Sequence, residues 1–239
     1  MLIFFFESPS VDKCSRYISV FHLILSCEQE DKKEKIKSTF ARFLPEEFVG
    51  YVADLFFTSK VRFSIVKSRA TKLGDFRAGL NGDKHRITVN GNLNQYSFLI
   101  TTLHEFAHLN TYEKFGWKVK PHGEEWKNEY RSLLLPVINS GKLPSDIEKA
   151  LVNSLVKTKA SSCTDHQLSR ILHRYDQHPE GAVLLENLPF DSIFEVNGKS
   201  FKKGPLRRKR YVCEEINSNR KYLVNSLAIV KHLNSTKDE

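Results

Sequence analysis

The chain has 239 residues, of which 40% are hydrophobic and 27% are charged. This composition is typical of a soluble globular protein, and the length suggests one or two domains with room for a sizeable core. The 37 Lys and Arg exceed the 28 Asp and Glu, so the net charge of +9 favours polyanionic partners.

The four cysteines lie far apart in the sequence, at Cys14, Cys27, Cys163 and Cys213, and no Cys-x-x-Cys pair exists. This spacing argues against a disulfide framework and against a four-cysteine zinc ribbon. It fits a reducing compartment, and a cytoplasmic location is expected.

Residues 1–30 are predicted to be an N-terminal extension of unclear role. The apolar run Met1–Phe6 is too short to span a bilayer, and a second apolar run covers Tyr17–Ser26. One interpretation is a lipoprotein signal with Cys27 as the lipid acceptor. The run lies unusually deep for a signal peptide and follows Asp12, which favours a packed extra helix or a mis-assigned start. No membrane association is expected.

Two helices and three strands are predicted next. The charged run Asp31–Lys37 begins the first helix, and Pro45 suits the first turn of the second. Alternation of apolar and polar residues predicts strands over 61–66 and 85–89, with another strand over 71–77 between them.

The stretch that starts at Thr101 carries the clearest chemical pattern. His104 and His108 are four residues apart, so on a helix both imidazoles lie on one face and can bind the same metal ion. Glu105 can take a proton from a bound water, as in helical zinc proteases. A catalytic zinc needs three protein ligands and an open position, and His122 is the best candidate for the third ligand.

The flanking residues predict a real helix around this pattern. Asn92 or Asn94 can cap its start, and Gly116 sits where a left-handed residue would end it. A loop then leads to His122 at the head of a second helix, where Trp126 is expected to pack the two helices together. The alternative is a chance match made by solvated histidines.

The segments His104–His108 and Pro121–Lys127 resemble the SprT-like metallopeptidase family, which is related to the Spartan proteases. That family has a two-histidine helix followed by a His-Gly-x-x-Trp element that supplies the third ligand. The resemblance covers about residues 36–138 and implies an α+β, zincin-like domain with one Zn²⁺ per chain. It makes Glu105 the general base, with zinc ligands at His104, His108 and His122. The chain lacks the cysteine pairs of the family's C-terminal zinc ribbon.

A strand beside the zinc helix binds the substrate backbone as an added strand in helical zinc proteases. We assign this role to residues 85–90, with a plain structural strand as the alternative. His85 is expected to be exposed, although it could approach the metal.

The rest of the chain divides into the remainder of this domain and a separate module. The helix after His122 is expected to end or kink at Pro136, and a short helix covers about residues 145–156. A linker over 157–162 sets the predicted domains at 31–158 for the metallopeptidase and 159–239 for a small all-β module.

Strong hairpin signals support the β module. Asn197-Gly198 joins the strands of a first hairpin, a second hairpin runs from Arg208 to Val224, and residues 227–232 form the last strand. A second zinc site could be assembled from five scattered residues, although their spacing matches no zinc knuckle: Cys163, His166, His173, His178 and Cys213.

Positive charge concentrates in this module. From Asp191 to Glu239 there are 11 Lys and Arg against 6 Asp and Glu, a net of +5. Cations beside aromatic rings that can stack on bases are typical of nucleic-acid binding, whereas the alternative is a solvated strand face. DNA is an expected partner, since the best-studied members of the family act on DNA-attached proteins. The cluster comprises Lys199, Lys202, Lys203, Arg207, Arg208, Lys209 and Arg210.

The sequence therefore predicts a zinc-dependent endopeptidase that acts on protein or peptide substrates. The main alternative is a non-catalytic, nucleic-acid-associated binding protein with a structural metal site. Glu105 discriminates between them, because a structural site has no need of a carboxylate at that position. Hydrolysis of a bond other than a peptide bond is a third possibility.

Overall fold

The computed structural model describes residues 30–69, 72–80, 82–156 and 165–233. The predicted N-terminal extension and the predicted linker therefore lie outside the described residues, apart from residue 30. The described residues form helices together with a three-stranded and a six-stranded sheet. This mixture agrees with the predicted α+β class. Within them, no helix is both long enough and apolar enough to cross a membrane.

The first part of the chain follows the predicted order of elements. Strand β2 begins at Gly74 rather than at residue 71, and Pro136 lies inside helix α4 without ending it. The elements are α1 (30–40), α2 (Glu46–Thr58), β1 (Val61–Val66), β2 (Gly74–Arg77), β3 (His85–Asn90), α3 (Gln95–Phe115), α4 (Glu124–Asn139) and α5 (Ser145–Val156).

The first sheet has the strand order β1-β3-β2. Strand β1 is parallel to β3, with Val61 opposite His85, and β2 is antiparallel to β3, with Gly74 opposite Val89. Because β3 is paired on both sides, residues 85–90 cannot accept an added substrate strand, and that prediction is wrong. In the described part of the chain β2 pairs with β3 alone, so β2 is an edge strand.

Helix α3 runs through the centre of the first core. It contacts β2, β3 and α4, so residues on several of its sides are buried and not only one apolar face. Each fully buried Phe or Leu contributes about 1.5–3 kcal/mol relative to an exposed one. The largest fully buried side chains of this core include Phe98, Leu99, Leu103, Phe106, Leu109, Trp126 and Leu134.

A short helix that the sequence did not predict joins the two parts of the protein. Helix α6 (His166–Leu172) buries Leu168 in the first core, and Arg170 forms an ion pair with Glu186 at an Nε–Oε1 distance of 2.6 Å. Asn94 Nδ2, at the start of α3, donates hydrogen bonds to the Leu172 carbonyl at 3.0 Å and to the Asp176 carboxylate. The division of the chain into domains near residue 158 stays a prediction.

The second sheet has the order β4-β9-β5-β6-β7-β8, and all its pairs are antiparallel. The predicted hairpin through Asn197-Gly198 is confirmed, and both turn residues have positive φ angles of 52° and 73°. Phe194 and Phe201 stack at a centroid distance of 5.7 Å in a separate small core. The strands are β4 (Ala182–Leu184), β5 (Ile193–Val196), β6 (Lys199–Arg207), β7 (Arg210–Glu215), β8 (Lys221–Asn225) and β9 (Ile229–Leu233).

Candidate metal centre

Local signals in the sequence fix where α3 begins and ends. The side chain of Asn94 accepts a hydrogen bond from the Ser97 N–H at 2.9 Å, which satisfies one of the free donors of the first turn. At the other end, Gly116 adopts a φ of 60° and its N–H donates to the Tyr112 carbonyl. Both predicted ends of the helix are therefore present, and His104 and His108 lie one turn apart in its buried middle.

His122 reaches the same point from the loop before α4. It lies two residues before the helix rather than in its first turn, and it has a left-handed φ of 58°. That conformation is uncommon for a residue other than glycine, although histidine is among the enriched exceptions. The Gly123 N–H closes the turn by donating to the Lys120 carbonyl at 2.9 Å.

The three imidazoles converge on one point. The Nε2 atoms of His104, His108 and His122 are separated by 3.1, 3.0 and 3.1 Å, and they form a nearly equilateral triangle. A tetrahedral zinc with bonds of about 2.0–2.1 Å holds its nitrogen ligands about 3.3–3.4 Å apart. The donor atoms therefore fit a metal ion of this kind, and among the described residues this is the candidate metal-binding group.

Burial keeps these imidazoles in the form that a metal requires. It lowers the pKa of His104 to about 2 and that of His108 to about 4, with a smaller contribution from the neighbouring rings. The pKa of His122 is lowered as well, for the same reason. Metal ligation needs neutral imidazole, so the three lone pairs are available at neutral pH.

Trp126 forms the floor of this cluster. Its ring is 1% exposed and lies at centroid distances of 4.6, 5.3 and 4.7 Å from the imidazoles of His104, His108 and His122. Tyr130, one turn later on α4, stacks on the Trp126 ring at 4.8 Å. The two aromatic rings hold α4 against the histidines of α3 and exclude water from behind them.

Glu105 is directed toward the edge strand β2. It is 5% exposed, and the Phe76 N–H donates a hydrogen bond to its carboxylate. Burial and, to a smaller extent, the Asp75 carboxylate raise the pKa of Glu105 to about 8, although the Phe76 hydrogen bond opposes them. A carboxyl group with a pKa near neutrality is suited to exchange protons during a reaction.

Comparison with known proteins agrees with this geometry. Residues 45–137 match the model of the SprT-like family. No curated protein and no solved structure matches the chain.

Sequence reasoning missed two residues that position Glu105 beside the three histidines. A Cβ atom on Gly74 would lie 2.5 Å from Glu105 Oε1 and 2.8 Å from Thr101 Cγ2, so only glycine leaves room for the carboxylate. Phe76 supplies the N–H described above, and its ring stacks on His108 at 6.5 Å. A glycine inside a strand is a known sign of close approach by another group, and that signal was present in the sequence.

The other histidines that the sequence singled out do not join the metal centre. His85 is half-buried against Tyr112, and its Nδ1 accepts a hydrogen bond from the Gly79 N–H at 3.0 Å. His173 Nδ1 is 2.7 Å from Asp176 Oδ2, and His178 Nε2 lies 3.0 Å from the His173 carbonyl.

The alternative second zinc site is therefore not assembled among the described residues. Cys213 is buried in the core of the second sheet, and His166 opens α6. Cys163 lies outside the described residues.

The predicted basic cluster divides into two groups. Lys203 is 3% exposed, and its Nζ donates hydrogen bonds to the carbonyls of Leu185 and Leu188 at 2.8 and 2.5 Å. This buried lysine joins β6 to the segment 185–188 and is not available to a partner. The prediction that Lys203 belongs to a nucleic-acid-binding surface is therefore wrong. Lys199 and Lys202 form ion pairs at 2.8 and 3.3 Å with nearby carboxylates.

The remaining cations form an exposed tip. Arg207 and Arg210 lie directly opposite each other at the end of the β6–β7 hairpin, and Arg208 and Lys209 form its turn. Like charges placed opposite each other destabilise a hairpin. Arg208 also has a left-handed φ of 59°, which is unusual for a residue of its size.

Proposed function

We propose that this protein is a zinc-dependent endopeptidase. The observation that carries the proposal is the convergence of three imidazoles whose Nε2 atoms lie within 3.1 Å of one another, with a buried carboxyl group one residue after the first of them. The match of residues 45–137 to the SprT-like family model supports the same conclusion. His104, His108 and His122 are the proposed zinc ligands.

Glu105 is the proposed general base and acid. Zinc, when bound at such a site, lowers the pKa of a water molecule to about 7 and polarises a carbonyl group. Glu105 takes a proton from the attacking water and delivers it to the leaving amine. Its hydrogen bond from the Phe76 N–H and its contact with Gly74 fix the direction of the carboxylate during both transfers.

Strand β2 is the proposed binding edge for the substrate backbone. It lies at the edge of the first sheet in the described part of the chain, and it contacts α3 beside Glu105. An extended peptide added to this edge would gain main-chain hydrogen bonds with little dependence on its sequence. This role replaces the one assigned from sequence to residues 85–90.

Two substitutions test the site together. Glu105→Gln is isosteric and should keep one zinc per chain but lose peptide cleavage, because the base is removed and the ligands are not. His122→Ala should lose or weaken zinc binding in elemental analysis. A Glu105→Gln protein that cleaves peptides as well as the parent would refute the mechanism and favour a structural metal in a binding protein.

We further propose that the exposed tip of the β6–β7 hairpin contacts nucleic acid. Four consecutive cations stand there, in a turn that has both opposed like charges and a left-handed arginine. Phosphates would neutralise this repulsion, and the resulting affinity would depend on salt through counterion release. This proposal makes DNA-associated proteins the expected substrates.

Salt-dependent binding separates this tip from the ion-paired lysines. In the double variant Arg208→Gln and Arg210→Gln, the slope of log K against log salt for a DNA duplex should fall by about 2. The matched variant Lys199→Gln and Lys202→Gln should change the slope less, because both lysines already pair with carboxylates. Equal effects in both variants would contradict a specific role for the tip.

A further inference from the structure

A small pocket opens directly beside the metal centre. It has a volume of ≈ 90 Å³ and borders His108 and His122, but it does not reach His104 or Glu105. Its walls come from strand β2, the second half of α3 and the loop before α4. The side chains that shape it are Phe76, Thr111, Tyr112, Trp117, Val119 and Pro121.

The walls of the pocket offer apolar surface and few polar groups. The Thr111 hydroxyl is occupied, because it donates to the Ala107 carbonyl at 2.7 Å. Tyr112 packs edge-on against the Trp117 ring at 5.0 Å, and Trp117 itself is 75% exposed at the mouth. No carboxylate lines the pocket among the described residues, and Lys120 stands at its rim, so a basic side chain would find no counter-charge.

The size of the pocket selects among apolar side chains. An engineered apolar cavity of about 150 Å³ in a protein interior binds benzene. A pocket of ≈ 90 Å³ is smaller than that cavity and suits an aliphatic side chain such as that of valine or leucine better than a phenyl ring.

The direction of β2 decides which substrate residue reaches the pocket. Gly74 lies beside Thr101 and Glu105, whereas Phe76 lies beside His108 and Tyr112, so β2 and α3 run in the same direction here. A peptide paired antiparallel to β2, the more stable arrangement per residue, runs the opposite way. Its amino-terminal part then lies over the Phe76 end, where the pocket is.

We propose that this pocket determines specificity by accepting an aliphatic side chain immediately on the amino-terminal side of the cleaved bond. This inference rests on the proposed peptidase function and adds the substrate class to it. Val119 is an aliphatic side chain in the wall of the pocket; it is half-buried and is not one of the proposed metal ligands, so it can be replaced to change the size of the pocket.

A randomised peptide library, digested by the zinc-loaded full-length protein, provides the test. Mass spectrometry of the products should show Val, Leu or Ile before the cut, at least about tenfold above Ala and above Lys or Arg. Val119→Phe should remove this preference while zinc content stays at the parent value. Val152→Phe places the same substitution at an exposed valine of α5 and should leave the preference unchanged.

A second variant covers the case in which Val119→Phe does not fold. Val119→Ala enlarges the pocket and should shift the preference toward phenylalanine. Cleavage without a preference before the cut, a preference only after the cut, or a preference unchanged in the Val119 variants would overturn the inference while leaving the peptidase function intact. No cleavage of any peptide by the parent would overturn the peptidase function and this inference with it.

Discussion

Replacement of Gly74 by alanine tests how closely the edge strand controls the proposed base. The added Cβ would lie 2.5 Å from Glu105 Oε1, 2.8 Å from Glu105 Cγ and 2.8 Å from Thr101 Cγ2. Such distances are well below van der Waals contact, so either the Glu105 side chain or strand β2 must move. The atoms nearest to the new methyl group belong to Glu105 and Thr101 and not to the three histidines, so the proposed zinc ligands should stay in place.

The expected result is a selective loss of activity. Relief of this overlap costs about 1–3 kcal/mol of stability, as for other overpacked sites. A displacement of about 1 Å at a catalytic group can lower the rate by about 100-fold. We therefore expect kcat/KM for peptide cleavage to fall by about 100-fold while zinc content stays at one per chain.

The chain offers a matched control for this substitution. Gly50 lies in α2, and a Cβ added there would meet nothing within 4 Å, so Gly50→Ala should retain full activity. We would compare the two variants with the parent in the rate of peptide cleavage, in zinc content by elemental analysis and in the temperature of unfolding. Parent-like activity in Gly74→Ala would show that Glu105 does not depend on this contact, and the positioning argument would fail.

Two further predictions concern buried ionisable side chains. Lys203→Met removes the donor that serves the Leu185 and Leu188 carbonyls, so the free energy of unfolding should fall by about 1–3 kcal/mol in chemical denaturation; an unchanged value would mean that solvent replaces the lysine. With zinc removed by a chelator, the folded protein holds His104 and His108 neutral down to pKa values of about 2 and 4, whereas the unfolded chain protonates both near pH 6.5. The unfolded state then binds more protons, so stability should fall as the pH drops from 6.5 toward 4, by about 1.4 kcal/mol per pH unit for each histidine. Denaturation curves at several pH values measure this slope, and a flat profile would contradict it.

The sequence predicted the parts of the site that depend on local spacing. The four-residue interval between His104 and His108 needs only a helix, and Asn94 and Gly116 mark the ends of that helix. His122 was identified as the third candidate ligand from its place at the head of the next helix, but the left-handed turn that places it two residues before α4 could not be predicted.

What the sequence could not predict depends on pairing between distant segments. Residues 85–90 alternate like any strand, and nothing local shows that β3 receives partners on both sides. The burial of Lys203 was foreseeable in part, since it lies two residues after Phe201 and so shares the inner face of β6. Its partners come from residues 185–188, most of which form a short 3-10 helix that the sequence did not predict.

Asn94 makes hydrogen bonds both within the first turn of α3 and to residues that follow α5, so it links the later segment to the helix of the metal centre. One end of this amide caps α3, and the other end donates to residues 172 and 176, on the far side of the gap at 157–164. A shortened protein that ends at residue 158 would lose these acceptors together with Leu168, and it would expose part of the first core. Residues 165–176 therefore complete both the first core and the start of the helix that carries His104 and His108, although they lie beyond the predicted end of that domain at residue 158.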